Sequence, residues 1–227
     1  LLDTLVLVGG LGSLDMHKWW RIQFAGEPGL DAGGLEREWF GLVIEGLFDP
    51  ATGLFSSPSG DGNSGVYHIS PTSEDAQSEH LRYYRLAGRI FGKAMMEQQT
   101  LSASLSLPLR KQLLNLPITF SDLEFVDPAL YRSLLYVKTC TGEEVEALAL
   151  DFTVAYPVLA KQTDSNIYKG SVRTYDLKPG GADIAVTADN REEYLQLMLS
   201  NRMLTSIQSQ VEWLLRGFYE VVPPDLL

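Results

Sequence analysis

Leu35, Trp39, Val43 and Leu47 recur every four residues, and Phe40 and Ile44 widen the stripe. That spacing predicts a helix, apolar over much of its girth and therefore read as central. Gly33 and Gly34 stand just before it, where glycine permits a sharp turn. With Gly33 as N-cap, Glu36 falls at the third position, near free N–H groups and the positive end of the helix dipole. Ser78 to Thr100 reads as a second long helix, with Leu81, Tyr84, Gly88, Phe91 and Met95 on one stripe. Its two glycines, Gly88 and Gly92, are four apart and form a notch for the close approach of another helix. Asp127-Pro128 is a helix start, Asp as N-cap and Pro at the first turn where no N–H is needed. Leu130, Leu134 and Val137 then share a face, and Gly142 is the expected stop. Ala149 to Tyr156 alternates, with Leu150, Phe152, Val154 and Tyr156 on one side of a strand. From Asn190 onward Tyr194, Leu197, Leu204, Ile207, Val211, Leu214 and Phe218 fit one buried helical stripe. A break is expected near Ser200-Asn201 and an end at Gly217, Pro223 and Pro224.

Between these lie weaker signals. Trp20 to Phe24 reads as a short strand. Ser56 to Gly65, nearly all Ser, Gly, Pro, Asp and Asn, reads as a loop, and Val66 to Ile69 as a returning strand that closes a hairpin. Pro108 and Pro117 bracket a short helix and mark entry into a second subdomain. Ala160 to Val172 is a polar insertion. Val6-Val8-Gly9-Gly10-Leu11-Gly12 has the look of a strand entering a dinucleotide loop, but Asp15 stands where Gly or Ala should pack the helix on the strand. A flexible N-terminal connector is the preferred reading, and a nucleotide-binding enzyme the third-ranked function.

Composition narrows the classes. With 227 residues, 45% of them hydrophobic, the chain suits one domain of up to two subdomains. It starts at Leu1 and is read as a piece of a longer protein. The net charge of -11 argues against nucleic acid, because phosphate binding needs a basic footprint. Leu5-Val6-Leu7-Val8 is too short to insert in a membrane. The single cysteine excludes an internal disulfide and fits a reducing compartment, so a cytoplasmic or nuclear location is expected.

No catalytic residue is assigned. His17, His68 and His80 lack ligand spacing and no cysteine cluster accompanies them, so neither a metal nor any other cofactor is expected. Arg37 and Arg89 are read as salt-bridged supports. Glu143, Glu144 and Glu146 are read as solvated charge in a polar turn. Cys140 lies at the C-terminal end of its expected helix, and those glutamates follow closely. Both features disfavour the thiolate, which is the nucleophile.

One further pattern is a resemblance. Gln23-Phe24-Ala25-Gly26-Glu27, Asp31-Ala32-Gly33-Gly34-Leu35-Glu36-Arg37-Glu38-Trp39-Phe40, Gly53-Leu54-Phe55 and Gly88-Arg89-Ile90-Phe91-Gly92-Lys93-Ala94 follow one another in order. Asp127 to Leu134, Asp176-Leu177-Lys178-Pro179-Gly180-Gly181 and Val186 to Tyr194 continue the series. Together they resemble the N-terminal lobe of the HECT domain of ubiquitin ligases. The resemblance implies an α+β fold: a mostly helical large subdomain with a small β-hairpin (1–108 and 187–227) and a smaller α/β subdomain (109–186). It implies a ubiquitin-protein transferase whose acceptor cysteine belongs to a separate lobe, with a ubiquitin-conjugating enzyme, ubiquitin and a protein substrate as partners. The small subdomain would dock the conjugating enzyme through Leu130, Leu134, Leu150 and Tyr194. Cys140 falls where the family can have a groove tyrosine, so an aromatic wall is absent there. Ser56 and Ser57 follow the Leu-Phe pair where many members carry an aromatic, so a second ubiquitin site is not expected. For each leucine, packing of the subdomain core is the competing reading. For the whole protein, a non-catalytic interaction module on the same scaffold is the alternative.

Overall fold

The computed structural model of this chain describes residues 2–24, 26, 34–58, 65–158 and 172–224. The Gly33 cap and nearly all of the polar stretch 160–172 lie outside the described residues. In chain order, helices α1 (Leu2–Leu7), α2 (Ser13–Met16) and α3 (Gly34–Phe48) precede strands β1 (Phe55–Ser56) and β2 (Val66–Ile69). Helices α4 (Ser73–Ala76) and α5 (His80–Met96), strand β3 (Ser104–Leu105) and helix α6 (Leu107–Leu113) complete the first half. Then come α7 (Pro128–Thr139), α8 (Gly142–Ala147), β4 (Thr153–Pro157), β5 (Val172–Asp176), α9 (Arg191–Met203) and α10 (Gln208–Tyr219). The fold is α+β: β1 and β2 form the expected antiparallel hairpin with Phe55 opposite Ile69, β3 joins β2 in parallel, and β4 and β5 form a separate antiparallel pair.

Helices α5 and α10 are the axis of the first core. Every residue from Leu86 to Ala94 is buried, so α5 is covered on all sides. The glycine notch explains how α10 comes so close. A Cβ on Gly88 would lie 2.0 Å from the Leu214 carbonyl oxygen, and one on Gly217 would lie 2.0 Å from that of Arg85. Each helix therefore sets a glycine against the other's backbone, a spacing that a side chain would forbid. Helix α3 lies beside this pair, with Phe40, Val43, Ile44, Leu47 and Phe48 buried.

Two cations buried in α5 are fully engaged. Arg89 is 2% exposed, meets Glu220 at 2.6 Å and donates to the carbonyls of Val8 (2.7 Å) and Gly9 (3.2 Å). Lys93 meets Glu97 at 2.5 Å, donates to the Lys18 carbonyl at 2.6 Å and lies over the Trp20 ring. Buried charges persist only when paired and hydrogen-bonded in this way. They also fasten the N-terminal segment to the core.

The second core is built from α7, α8, β4 and α9. Leu134, Val137, Cys140, Val145, Phe152, Val154, Tyr156, Val186, Tyr194, Met198 and Met203 are among its buried members. The packing changes over between Met203, in the second core, and Ile207, in the first. Helix α9 thus packs with α7 and β4, while only α10 returns to α5; the sequence reading had divided the chain at 186/187. Lys111 to Asp122 (2.8 Å) and Gln112 to the Met203 carbonyl (3.0 Å) link the two cores.

Several expectations change. Residues 2–7 are a helix, not a strand or a flexible connector, because Leu5 and Val8, three apart, both bury against the core. Trp20 to Phe24 is irregular: no strand pairs with it among the described residues, and Trp20 instead meets Trp39 edge-on at 5.6 Å. The centre of the first core is α5 rather than α3. Gly142 does not stop α7, which ends at Thr139, but opens α8. Gly217 sits inside α10 for close packing, and the break in the final stripe falls after Met203.

Candidate functional site

Helix α7 starts as its sequence dictates. Asp127 accepts the Leu130 N–H at 2.9 Å through one carboxylate oxygen, and its other oxygen meets Arg202 of α9 at 2.5 Å. The cap therefore fixes the start of α7 and its position against α9. From that start, Leu134 and Val137 point inward and are 2% and 3% exposed, while Leu130 is half-buried at the edge.

The chain turns at Cys140, where the helix gives way to extended backbone. Cys140 is buried, and its thiol is 3.5 Å from the Val137 carbonyl. Arg191 at the start of α9 donates to the Cys140 carbonyl at 2.6 Å and locks the corner. A capping box then starts α8. Thr141 Oγ1 accepts the Glu144 N–H at 3.3 Å, and Glu144 accepts the Thr141 N–H at 2.7 Å. These hydrogen bonds from the Thr141 backbone and hydroxyl hold the Glu144 carboxyl below its ordinary range. Glu144 is thus a cap; Glu143 and Glu146 stand exposed beside it.

Leu150 precedes β4. Its carbonyl accepts the Val186 N–H at 2.8 Å, and it is half-buried. Tyr194 of α9 meets Phe152 edge-on at 5.6 Å and is buried; that burial pushes its phenol above the usual tyrosine value, with the Asp151 charge adding to the effect.

The five positions singled out from the sequence therefore join one cluster. Leu134, Cys140 and Tyr194 are members of the second core, and Leu130 and Leu150 pack against it from the edge. Leu134, Cys140 and Tyr194 form a closed floor, and only Leu130 and Leu150 form an accessible rim. The sequence reading missed α8, although its Thr141-Gly-Glu-Glu144 signature was available. It also missed the exposed Leu135, Tyr136 and Leu148 around this corner.

Cys140 is too enclosed to meet a macromolecular acyl donor. Among the described residues no three His, Cys, Asp or Glu side chains group to hold a metal ion, and no helix is long and apolar enough to cross a membrane. His68 is buried on β2 with Nδ1 2.8 Å from Ser106 Oγ, and desolvation, aided by the Arg202 charge, lowers its pKa to about 4. It is a neutral core histidine. A groove of about 970 Å³ runs along the outer side of α3 between Glu38, Leu42, Glu45, Asp49 and Tyr67. It shares no residue with the α7 cluster.

Comparison with known proteins assigns the chain to a family. Residues 41–227 match the family model of the HECT domain (ubiquitin-transferase). The chain is 34% identical over 221 residues to the E3 ubiquitin-protein ligase Smurf1 of Drosophila melanogaster, covering 97% of this chain and 19% of that protein. It is 34% identical over 206 residues to human NEDD4 (91% and 14%) and 38% identical over 206 residues to human HECW1 (91% and 12%), both E3 ubiquitin-protein ligases. The chain spans about a fifth or less of the length of these relatives. A match over most of the chain, with relatives above 30% identity along nearly all of it, places this protein in the HECT-domain family of ubiquitin transferases.

Proposed function

We propose that these 227 residues form the N-terminal lobe of a HECT ubiquitin ligase and dock the ubiquitin-charged conjugating enzyme at the α7–α8–β4 corner. The carrying observation is the convergence there of Leu130, Leu134, Cys140, Leu150 and Tyr194, drawn from three separate stretches of sequence, into one apolar unit with its edge exposed. In the whole protein, a cysteine thiolate outside this chain attacks the thioester of the conjugating enzyme and releases that enzyme's thiol. A substrate lysine amine then takes the ubiquitin as an amide and frees the cysteine. Residues of the present chain bind and orient the donor and take no part in bond making. The only cysteine, Cys140, is buried under Arg191 and serves the packing.

The floor and the rim have separate duties in this reading. Leu130 and Leu150 touch the partner, and Leu134, Cys140 and Tyr194 hold them in place. Calorimetric titration with a conjugating enzyme tests this directly. Leu150→Glu is expected to weaken binding by tenfold or more, as anchor substitutions at interfaces do, with a melting curve showing that the variant is folded at the titration temperature. Leu134→Ala is expected to lower the melting temperature, because it opens a cavity in a packed core. Unchanged affinity in the folded Leu150→Glu variant would remove the docking assignment.

A further inference from the structure

A polar cleft of about 490 Å³ opens where the two cores meet. Glu74 and His80 line it from α4 and α5, Tyr156 and Tyr175 from β4 and β5, and Ser206 and Gln210 from the approach to α10 and its first turn. None of the five docking positions lines it. Small ligands favour such junctions, where a concave space meets a few polar groups.

Two of those polar groups lack partners. Gln210 is only 6% exposed. Its Nε2 donates to Ser73 Oγ at a long 3.5 Å, whereas its Oε1 accepts no hydrogen bond among the described residues. That oxygen is not sealed in by protein, so it faces the space of the cleft. Ser206 Oγ is buried with no partner among the described residues. Buried polar groups are nearly always hydrogen-bonded, so an unpaired acceptor on a concave wall marks room for a donor.

The charge around the cleft selects the donor. Glu74 and Asp176 line it, and no lysine or arginine does. Arg173 turns to Asp75 at 3.3 Å and to the Tyr175 hydroxyl at 3.2 Å, and reaches Glu74 only at 3.9 Å. Asp176 pairs with no cation among the described residues. His80 has Nδ1 2.9 Å from Ser73 Oγ, and desolvation, opposed in part by the Glu74 charge, lowers its pKa, so its ring adds no positive charge at pH 7. Tyr156 and Tyr175 meet edge-on at 6.1 Å, and Tyr156 already carries the Arg202 guanidinium over its ring at 4.9 Å. Rings of this kind attract cations. Among the described residues no three His, Cys, Asp or Glu side chains group to hold a metal ion, so the matching cation is organic.

We propose that this cleft binds an alkylammonium ion, which donates to Gln210 Oε1 and to the carboxylates of Glu74 and Asp176 and lays its chain along the Tyr175 ring. An ammonium has three donors and no acceptor, the complement of these groups. A phosphate or carboxylate ligand would meet negative charge and no cation. A free polyamine and a lysine side chain share the required chemistry. The site stands apart from the docking corner and does not depend on its role.

The test titrates the 15N-labelled chain with spermidine, with Nα-acetyl-lysine methylamide, and with Nα-acetyl-norleucine methylamide, which lacks the ammonium. Salt at about 0.15 M screens diffuse attraction to the acidic surface. The side-chain amide signal of Gln210 should shift saturably with an ammonium ligand and stay in place with the norleucine compound. Glu74→Gln and Asp176→Asn together should weaken that binding about tenfold, with a melting curve showing that the variant is folded. A response to spermidine alone supports the site with a free polyamine as its ligand, and a response to the lysine compound alone supports it with a lysine side chain. The inference falls if neither ammonium ligand moves the Gln210 signal, as when the cleft holds only water. It falls equally if the norleucine compound moves the signal as far, or if the double variant binds as the parent does.

Discussion

The two cores solve different problems. The first buries α5 from Leu86 to Ala94: Gly88 and Gly217 set α5 and α10 backbone to backbone, and Arg89 and Lys93 are sealed in with Glu220, Glu97 and three N-terminal carbonyls. Along that stretch of α5 no side chain is exposed, and Met95 and Met96 stand out only beyond it. The second core is assembled from shorter elements, and α8 has only six residues. Its buried side chains end at a corner where Leu130 and Leu150 are half-buried and Leu135, Tyr136 and Leu148 stand out. The contrast separates a rigid helix pair from the corner proposed to dock a partner. Glycine contacts and buried charge fix the helix pair of the first core, whereas half-buried and exposed apolar residues gather at one corner of the second.

The largest expected effect lies in the first core. Glu220→Leu leaves Arg89 buried without its counter-charge and removes the partner of Arg85 at 2.8 Å, with an expected loss of about 4 kcal/mol in denaturant unfolding. A loss under about 1 kcal/mol would show that the pair is not what fastens the N-terminal segment.

The next effect is a pH dependence. The fold favours neutral His68, holding its pKa at about 4 instead of 6.5. The stability contributed by the neutral ring is complete above pH 6.5 and is lost as pH falls from there through 4. A shift of that size corresponds to about 3 kcal/mol. Burial lowers the pKa of His80 as well, which adds to the slope in the same direction. His68→Gln should flatten the unfolding free energy between pH 6.5 and 4 relative to the parent, and an unchanged slope would clear His68 of the effect.

Gly88→Ala comes next, at about 2 kcal/mol lost, because the new methyl would press on the Leu214 carbonyl and part the helices. The favourable helix propensity of alanine, about 1 kcal/mol, is outweighed. A stabilised variant in thermal melts would contradict the backbone contact. Smallest is Thr141→Ala, which removes the N-cap of α8 and should cost about 1 kcal/mol. Its effect sharpens the contrast: conjugating-enzyme binding should weaken alongside, whereas Gly88→Ala should leave binding by the folded fraction unaltered.

Much of this was legible in the sequence where a local rule decides the outcome. Asp127-Pro128 caps α7 because the rule needs only those residues. The alternation from Leu150 to Tyr156 marks β4, and the four-residue spacing of Gly88 and Gly92 announced a close helix contact. Failures occurred where a second element decides. Trp20 to Phe24 has strand-forming residues but no described partner strand, so the pattern has nothing to pair with. Gly142 and Gly217 looked like stops, yet one opens a capped helix and the other faces the Arg85 carbonyl. The site divides in the same way. The order of motifs singled out five positions that the fold clusters, but not which of them are buried and which stand at the edge. Burial of Leu134 and Tyr194 depends on how α9 and β4 close over α7, and no window of sequence around either residue contains that information.

The central claim is that this chain receives a ubiquitin donor without accepting the ubiquitin. The most direct measurement mixes the chain with a ubiquitin-charged conjugating enzyme, follows binding by calorimetry, and resolves the products on a non-reducing gel. The account predicts saturable binding that Leu150→Glu weakens at least tenfold, with no thiol-sensitive ubiquitin adduct on the chain. Absent binding by the parent chain, or a ubiquitin thioester on Cys140, would contradict it.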